Sequence, residues 1–121
     1  MLKINSILND SVKILSNYYI KTPKLDAEIL LSSVLKKSIK EIIFDDKINI
    51  NQKQLKLYKD LVTRRKYGEP VAYILNKKEF WKYNFYVDRN VLIPRPDTEI
   101  IIEETLKLLS KDEKKSVLDI G

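Results

Sequence analysis

The sequence predicts a mainly α protein: a small N-terminal helical bundle, a β-hairpin, and then the first helix and strand of an α/β unit. Three observations carry that prediction. Apolar residues recur at helical spacing up to Gly68. The next stretch turns aromatic and strand-like. A Pro-Arg-Pro segment then leads into one more helical pattern and a short apolar run.

In the first segment Ile4, Ile7, Leu8, Ile14, Leu15 and Tyr18 fall on one helical stripe. Thr22-Pro23 forms an N-cap and first-position pair. It opens a second helix whose apolar face is Leu25, Ile29, Leu30, Val34 and Leu35. After Lys36, Lys37 and Lys40 break the pattern, Ser38 is placed to cap a short third helix through Ile42, Ile43 and Phe44. Asp45 to Asn51 reads as a polar turn, and Asn51 caps a longer helix that turns Leu55, Tyr58, Leu61 and Val62 inward. Gly68 stops that helix, with Pro70 just beyond. No one of these helices can bury its stripe alone, so they are expected to pack as a bundle.

Glu79 to Val87 carries Phe80, Trp81, Tyr83, Phe85 and Tyr86, with Lys82, Tyr83 and Asn84 available for a turn. Such aromatics either pack a hairpin against its neighbour or, beside Lys77, Lys78 and Lys82, stack single-stranded bases; packing is the expectation. Val91 to Pro96 is held extended by its prolines. A helix then starts near Asp97 or Thr98, with Ile101, Ile102, Thr105, Leu108 and Leu109 as its buried face. Val117-Leu118-Asp119-Ile120-Gly121 reads as a buried strand entering a turn.

Composition narrows the chemistry. The 121 residues are 44% hydrophobic and 33% charged, with two glycines and four prolines, which excludes a disordered tail. Without cysteine there is no disulfide or thiolate metal site, and without histidine the usual general base and commonest metal ligand are gone. A metal centre is not expected. The charge of +6 rests on lysine far more than on the four arginines, a bias toward acidic partners, ribosome or nucleic acid. The lysine-rich helix from Lys53 to Lys66 reads as a solvated face, with contact to an acidic protein as its functional alternative. No apolar run approaches the about 20 residues of a membrane span, and the first residues lack the features of a signal peptide, so no membrane partner and a cytoplasmic location are expected.

The most informative stretch is Leu92-Ile93-Pro94-Arg95-Pro96-Asp97-Thr98-Glu99. A rigid Pro-Arg-Pro delivered onto a helix N-terminus offers a pocket wall with a fixed cation and backbone N–H groups. The stretch resembles the signature of the PrmC/HemK protein-glutamine methyltransferases. Gly68-Glu69-Pro70-Val71-Ala72-Tyr73-Ile74 resembles the pattern G-x-P-x-x-Y-I in that family. Glu79-Phe80-Trp81, Phe85 and Val87 resemble its hairpin, and Asp26-Ala27-Glu28-Ile29-Leu30-Leu31 is similar to the second helix of its N-terminal domain. Asn76 departs from the pattern, where the family often has glycine. Val117 to Gly121, an apolar strand ending in D-x-G, is similar to the start of a cofactor loop in S-adenosylmethionine (SAM) methyltransferases.

The resemblance implies a helical domain that recognises the substrate (residues 1–70), a connecting segment with the hairpin (71–90), and the start of a Rossmann-like SAM-dependent methyltransferase domain (91–121). It implies methylation of the glutamine of the Gly-Gly-Gln motif in class I peptide chain release factors, the expected partners. Pro94, Arg95, Pro96, Thr98 and Glu99 would line the active-site approach; Gly121 would touch SAM and Asp119 would order its loop. The family's catalytic Asn-Pro-Pro-Tyr loop has no counterpart in the sequence, so no catalytic residue is assigned and the segment alone is expected to be inactive. A monomer is expected. The alternative reading is a stand-alone basic module for nucleic acid or ribosome, with direct nucleic-acid binding not favoured.

Overall fold

The computed structural model describes residues 3–45, 47–109, 111 and 114–120. Within them the chain forms two compact units, one ending at Asn76 and the other beginning at Lys77. The first holds helices α1 (Ile4–Asn17), α2 (Pro23–Leu35), α3 (Ile39–Phe44), α4 (Gln52–Lys66) and α5 (Val71–Leu75). The second holds strands β1 (Lys78–Phe80) and β2 (Tyr83–Phe85) and helix α6 (Pro96–Leu108).

In the helical unit α2 is the central element, touching α1, α3, α4 and α5. Its position explains why one apolar stripe does not describe it. Ala27, Leu30 and Leu31 are buried together with Asp26 and Glu28, whereas Leu25, placed on the predicted face, is 50% exposed. The core joins these residues to Ile4, Ile7, Leu8 and Leu15 of α1, Ile42 of α3, Tyr58 and Val62 of α4, and Ile74 of α5. Ile14 and Tyr18, also expected inside, stay half exposed, at 41% and 46%.

The predicted caps form at Ser38 and Asn51. Ser38 exchanges hydrogen bonds with Glu41, and Asn51 with Gln54, in two reciprocal capping boxes. The Ser38 backbone N–H, then its hydroxyl, hold the Glu41 carboxyl below its ordinary range. Thr22 occupies the N-cap of α2, but its hydroxyl caps no backbone N–H; it donates to Asp26 Oδ1 at 2.9 Å. The stop after α4 is a Schellman motif: Gly68 N–H donates to the Arg65 carbonyl and Glu69 N–H to that of Arg64. Gly68 supplies the required left-handed backbone with φ +98°.

Helix α5 has no counterpart in the sequence reading. Pro70, at its N-cap, accepts from the N–H groups of Tyr73 and Ile74, and Ile74 is buried in the core. Five residues are too few to show a period, which is why the helix escaped notice. It ends at Asn76 with φ 52°, the residue type after glycine that best tolerates this conformation.

In the second unit the hairpin is tighter than expected. β1 and β2 pair antiparallel with Phe80 opposite Tyr83, so the loop is Trp81-Lys82 and Tyr83 and Asn84 belong to β2. Helix α6 begins at Pro96, with Arg95 as N-cap, one residue before the expected start, since proline is preorganised for the first helical position. None of its described residues is buried: Ile101 is 67% and Leu108 85% exposed. Of the expected buried face, Ile102, Thr105 and Leu109 are half-buried, so the helix is only partly covered.

Candidate functional site

The proline segment and the hairpin loop meet at one side chain. Arg95 is extended at φ −94° and ψ 143°, between Pro94 and Pro96, and its side chain is exposed. Its carbonyl accepts from the Thr98 N–H at 3.1 Å, so that one of the N–H groups expected to be free is already engaged. Asp97 and Glu99 place two carboxylates in the first turn of α6, where the helix dipole favours them. Glu99 is half-buried. Its Oε1 accepts the backbone N–H of Trp81 at 2.6 Å, tying the hairpin loop to the first turn of α6.

Trp81 sits at φ 55°, an uncommon conformation for a bulky residue. The bond to Glu99, the tilted contact of its ring with Tyr83 at 5.8 Å, and the Lys82 ammonium 4.8 Å above the ring together hold it there. Across the hairpin Phe80 and Phe85 meet edge to face at 6.2 Å. Tyr83, Phe85 and Tyr86 nonetheless remain 60%, 45% and 72% exposed, so the aromatics pack mainly on one another. The hydrogen bond from Trp81 to Glu99 spans 18 positions and left no signal in the sequence.

Pro94, Arg95, Pro96, Thr98 and Glu99 are therefore contiguous around one helix start, with Arg95, Pro96 and Thr98 exposed and Pro94 and Glu99 half-buried. Asp119 lies apart from them in sequence, exposed and outside regular structure. The expected strand does not form over the described residues 117–120: Val117, Leu118 and Ile120 are 69%, 82% and 86% exposed. A strand needs a partner for its backbone groups, and among the described residues none lies beside it. Gly121 lies outside the described residues. No group of histidine, cysteine or acidic side chains among the described residues is arranged to hold a metal.

In the helical unit the one buried ion pair joins α2 to α4 among the described residues. Arg65 Nε donates to Asp26 Oδ2 at 2.7 Å, with side-chain exposures of 18% and 8%. The same guanidinium donates to the Glu69 carbonyl at 3.1 Å, while Arg64 makes a forked pair with the Glu69 carboxylate. Asp26 of the family-like motif is thereby placed in the scaffold, close to neither Arg95 nor Asp119 in sequence. Its neighbour Glu28 is 7% exposed and its Oε1 has no hydrogen-bond partner; Lys24 Nζ is 4.0 Å from that oxygen.

The helical unit is thus a bundle of short helices tied by the Asp26–Arg65 pair, and the second unit a hairpin tied to a proline-led helix. Residues 6–75 match the family model of the PrmC N-terminal domain. The chain is 52% identical over 101 residues to a release factor glutamine methyltransferase of Coxiella burnetii, covering 84% of this chain and 36% of that protein. It is 42% identical over 120 residues to one of Buchnera aphidicola subsp. Schizaphis graminum, covering 99% of this chain and 42% of the relative. A bifunctional methyltransferase of Rickettsia conorii is 34% identical over 109 residues, 90% of this chain and 21% of that protein. The chain belongs to the PrmC family of release factor glutamine methyltransferases. It spans about two-fifths of the length of the first two of these relatives.

Proposed function

We propose that this chain is the N-terminal, release-factor-recognising part of a SAM-dependent enzyme that methylates the Gly-Gly-Gln glutamine of class I release factors in translation termination. The observation that supports it is the likeness to release factor glutamine methyltransferases across 84% and 99% of this chain. On this reading residues 1–70 recognise the substrate, 71–90 connect, and 91–121 open the methyltransferase domain. Pro94, Arg95, Pro96 and Thr98 line the approach to the glutamine. Glu99 acts at one remove, fixing the hairpin against the helix that carries them. Asp119 and Gly121 belong to the loop that receives SAM, which supplies an electrophilic methyl group when bound.

The segment alone is catalytically inactive, because the sequence holds no Asn-Pro-Pro-Tyr to orient the glutamine amide. No helix among the described residues is long and apolar enough to cross a membrane, in keeping with action on a cytosolic partner. The whole enzyme acts as a cytoplasmic monomer. Calorimetry of the chain with a purified class I release factor tests recognition, and a methyl-transfer assay with labelled SAM tests inactivity. Binding that persists in moderate salt, with no label transferred, is expected. Absence of binding overturns the recognition role, and transferred label overturns the inactivity.

A further inference from the structure

A groove of about 430 Å³ runs between α1 and α4, wholly within the helical unit. Its apolar lining is Ile7, Ile14, Leu55 and Val62. Ile7 and Val62 are buried, whereas Ile14 is 41% exposed, so the groove is open to solvent. Two hydroxyls in the lining are already satisfied internally: Ser11 donates to the Ile7 carbonyl at 3.0 Å and Thr63 to that of Lys59 at 2.8 Å. The third hydroxyl of the lining belongs to the exposed Ser6.

Charge gives the groove its sign. Lys59 and Lys66 line it against a single acidic residue, Asp10, and Lys56 lies one turn from Lys59 on α4. The arginines of α4 are engaged, Arg64 with Glu69 and Arg65 with Asp26, whereas Lys59 makes no ion pair among the described residues. Lys66 is placed in advance: its ammonium lies 5.0 Å from the Tyr18 ring centre and 4.9 Å from that of Tyr67. These rings meet edge to face at 5.9 Å and are 46% and 72% exposed. Ordering Lys66 beforehand lowers the entropy lost when it meets an anion, and exposed tyrosines are frequent anchors of protein interfaces.

We infer that the α1/α4 groove docks an acidic amphipathic segment of a protein partner. One or two aliphatic side chains of that segment enter between Ile14 and Leu55, and its carboxylates meet Lys59 and Lys66. A nucleic acid fits less well, because the apolar lining of Ile7, Ile14, Leu55 and Val62 is aliphatic and suits aliphatic side chains better than bases. This inference stands independently of the methyltransferase reading, since any partner bearing such a segment satisfies it.

The test is selection of random 12-residue peptides displayed on phage against the whole chain. Enrichment of sequences with Asp or Glu flanking Leu, Ile or Phe is expected. A synthetic peptide of the enriched sequence should bind the variant Lys59→Glu/Lys66→Glu at least ten-fold more weakly, and the milder Lys59→Ala/Lys66→Ala several-fold more weakly. Asp10→Asn should bind it at least as well as the unaltered chain. Far-UV circular dichroism confirms that each variant is folded before binding is read. The inference is overturned by no enrichment, by basic or purely apolar winners, or by winners that bind both lysine variants undiminished. It is also overturned if a single-stranded RNA 12-mer binds the chain more tightly than the selected peptide and displaces it.

Discussion

Removing either partner of the Asp26–Arg65 pair should destabilise the helical unit by unequal and non-additive amounts. The carboxylate is the more deeply buried side chain, 8% exposed against 18% for the guanidinium. Arg65→Met leaves Asp26 with the Thr22 hydroxyl as a side-chain partner, a buried charge short of its counter-ion, at a cost of about 3–5 kcal/mol. Asp26→Ala leaves Arg65 its bond to the Glu69 carbonyl and more water, so about 2–3 kcal/mol is expected. For a unit of this size each kcal/mol lowers the melting temperature by roughly 4–8 °C, which makes both effects plain in thermal melts. The double variant leaves no orphaned charge, so its loss should fall short of the summed single losses by at least about 1 kcal/mol. The assay is unfolding followed at 222 nm, where the helices dominate; Trp81 fluorescence reports the second unit separately. Additive single losses, or a smaller loss for Arg65→Met than for Asp26→Ala, would refute the placement of this pair as a buried coupling between α2 and α4.

Burial pushes the Tyr58 phenol from 10.0 to about 12, opposed by a hydrogen bond with Ser11. A raised native value means a stabilisation that is complete below about pH 10 and lost as pH climbs toward 12, on the order of 3 kcal/mol in all, and Tyr58→Phe should abolish that slope in urea melts. Asn51→Ala removes the acceptor for the Gln54 N–H at 2.8 Å and should cost about 1 kcal/mol by the same melts. Gly68→Ala meets no atom within 4 Å, so its whole cost, about 1–2 kcal/mol, should come from φ +98°, and a loss near zero would contradict the Schellman geometry. Glu99→Ala should speed hydrogen exchange at the Trp81 amide at least ten-fold and shift the tryptophan emission, while the 222 nm melt of the helical unit stays unchanged.

What the sequence disclosed depended on whether a feature was local. The caps at Ser38 and Asn51, the stop at Gly68 and the inward side of α4 are set by residues within one turn of each other, and all were legible. The packing of α2 was not, because a helix with neighbours on several sides buries more than its apolar stripe, Asp26 and Glu28 included. The pairing of Asp26 with Arg65 crosses 39 positions and could not be read from either neighbourhood. In the candidate site the order Pro94-Arg95-Pro96 and the helix after it were visible, since proline restricts the backbone directly. The bond of Glu99 to the Trp81 N–H was not legible: an acidic residue in a first turn looks identical in sequence whether it faces a ligand or a backbone N–H elsewhere.

The two units differ in how far their own residues satisfy the pattern written into them. In the helical unit Leu15, Ala27, Leu30, Leu31 and Tyr58 are fully buried, and the charged residues that enter with them include a matched pair. In the second unit the same kind of apolar periodicity on α6 leaves Ile100 at 59% and Ile101 at 67% exposure, and Val117 to Ile120 stay outside any sheet. Amphipathic patterning is a demand for a partner surface, and folding follows only where that surface is supplied. A body whose demand is met internally can present a stable groove and a fixed lysine to another protein. A helix whose demand is unmet within its own unit contributes its N-terminal segment to a site only when its apolar face is covered. On the readings proposed above, substitutions at Lys59 or Lys66 should weaken docking and leave the hairpin-to-helix tie at Glu99 intact, and those at Glu99 should leave the groove intact.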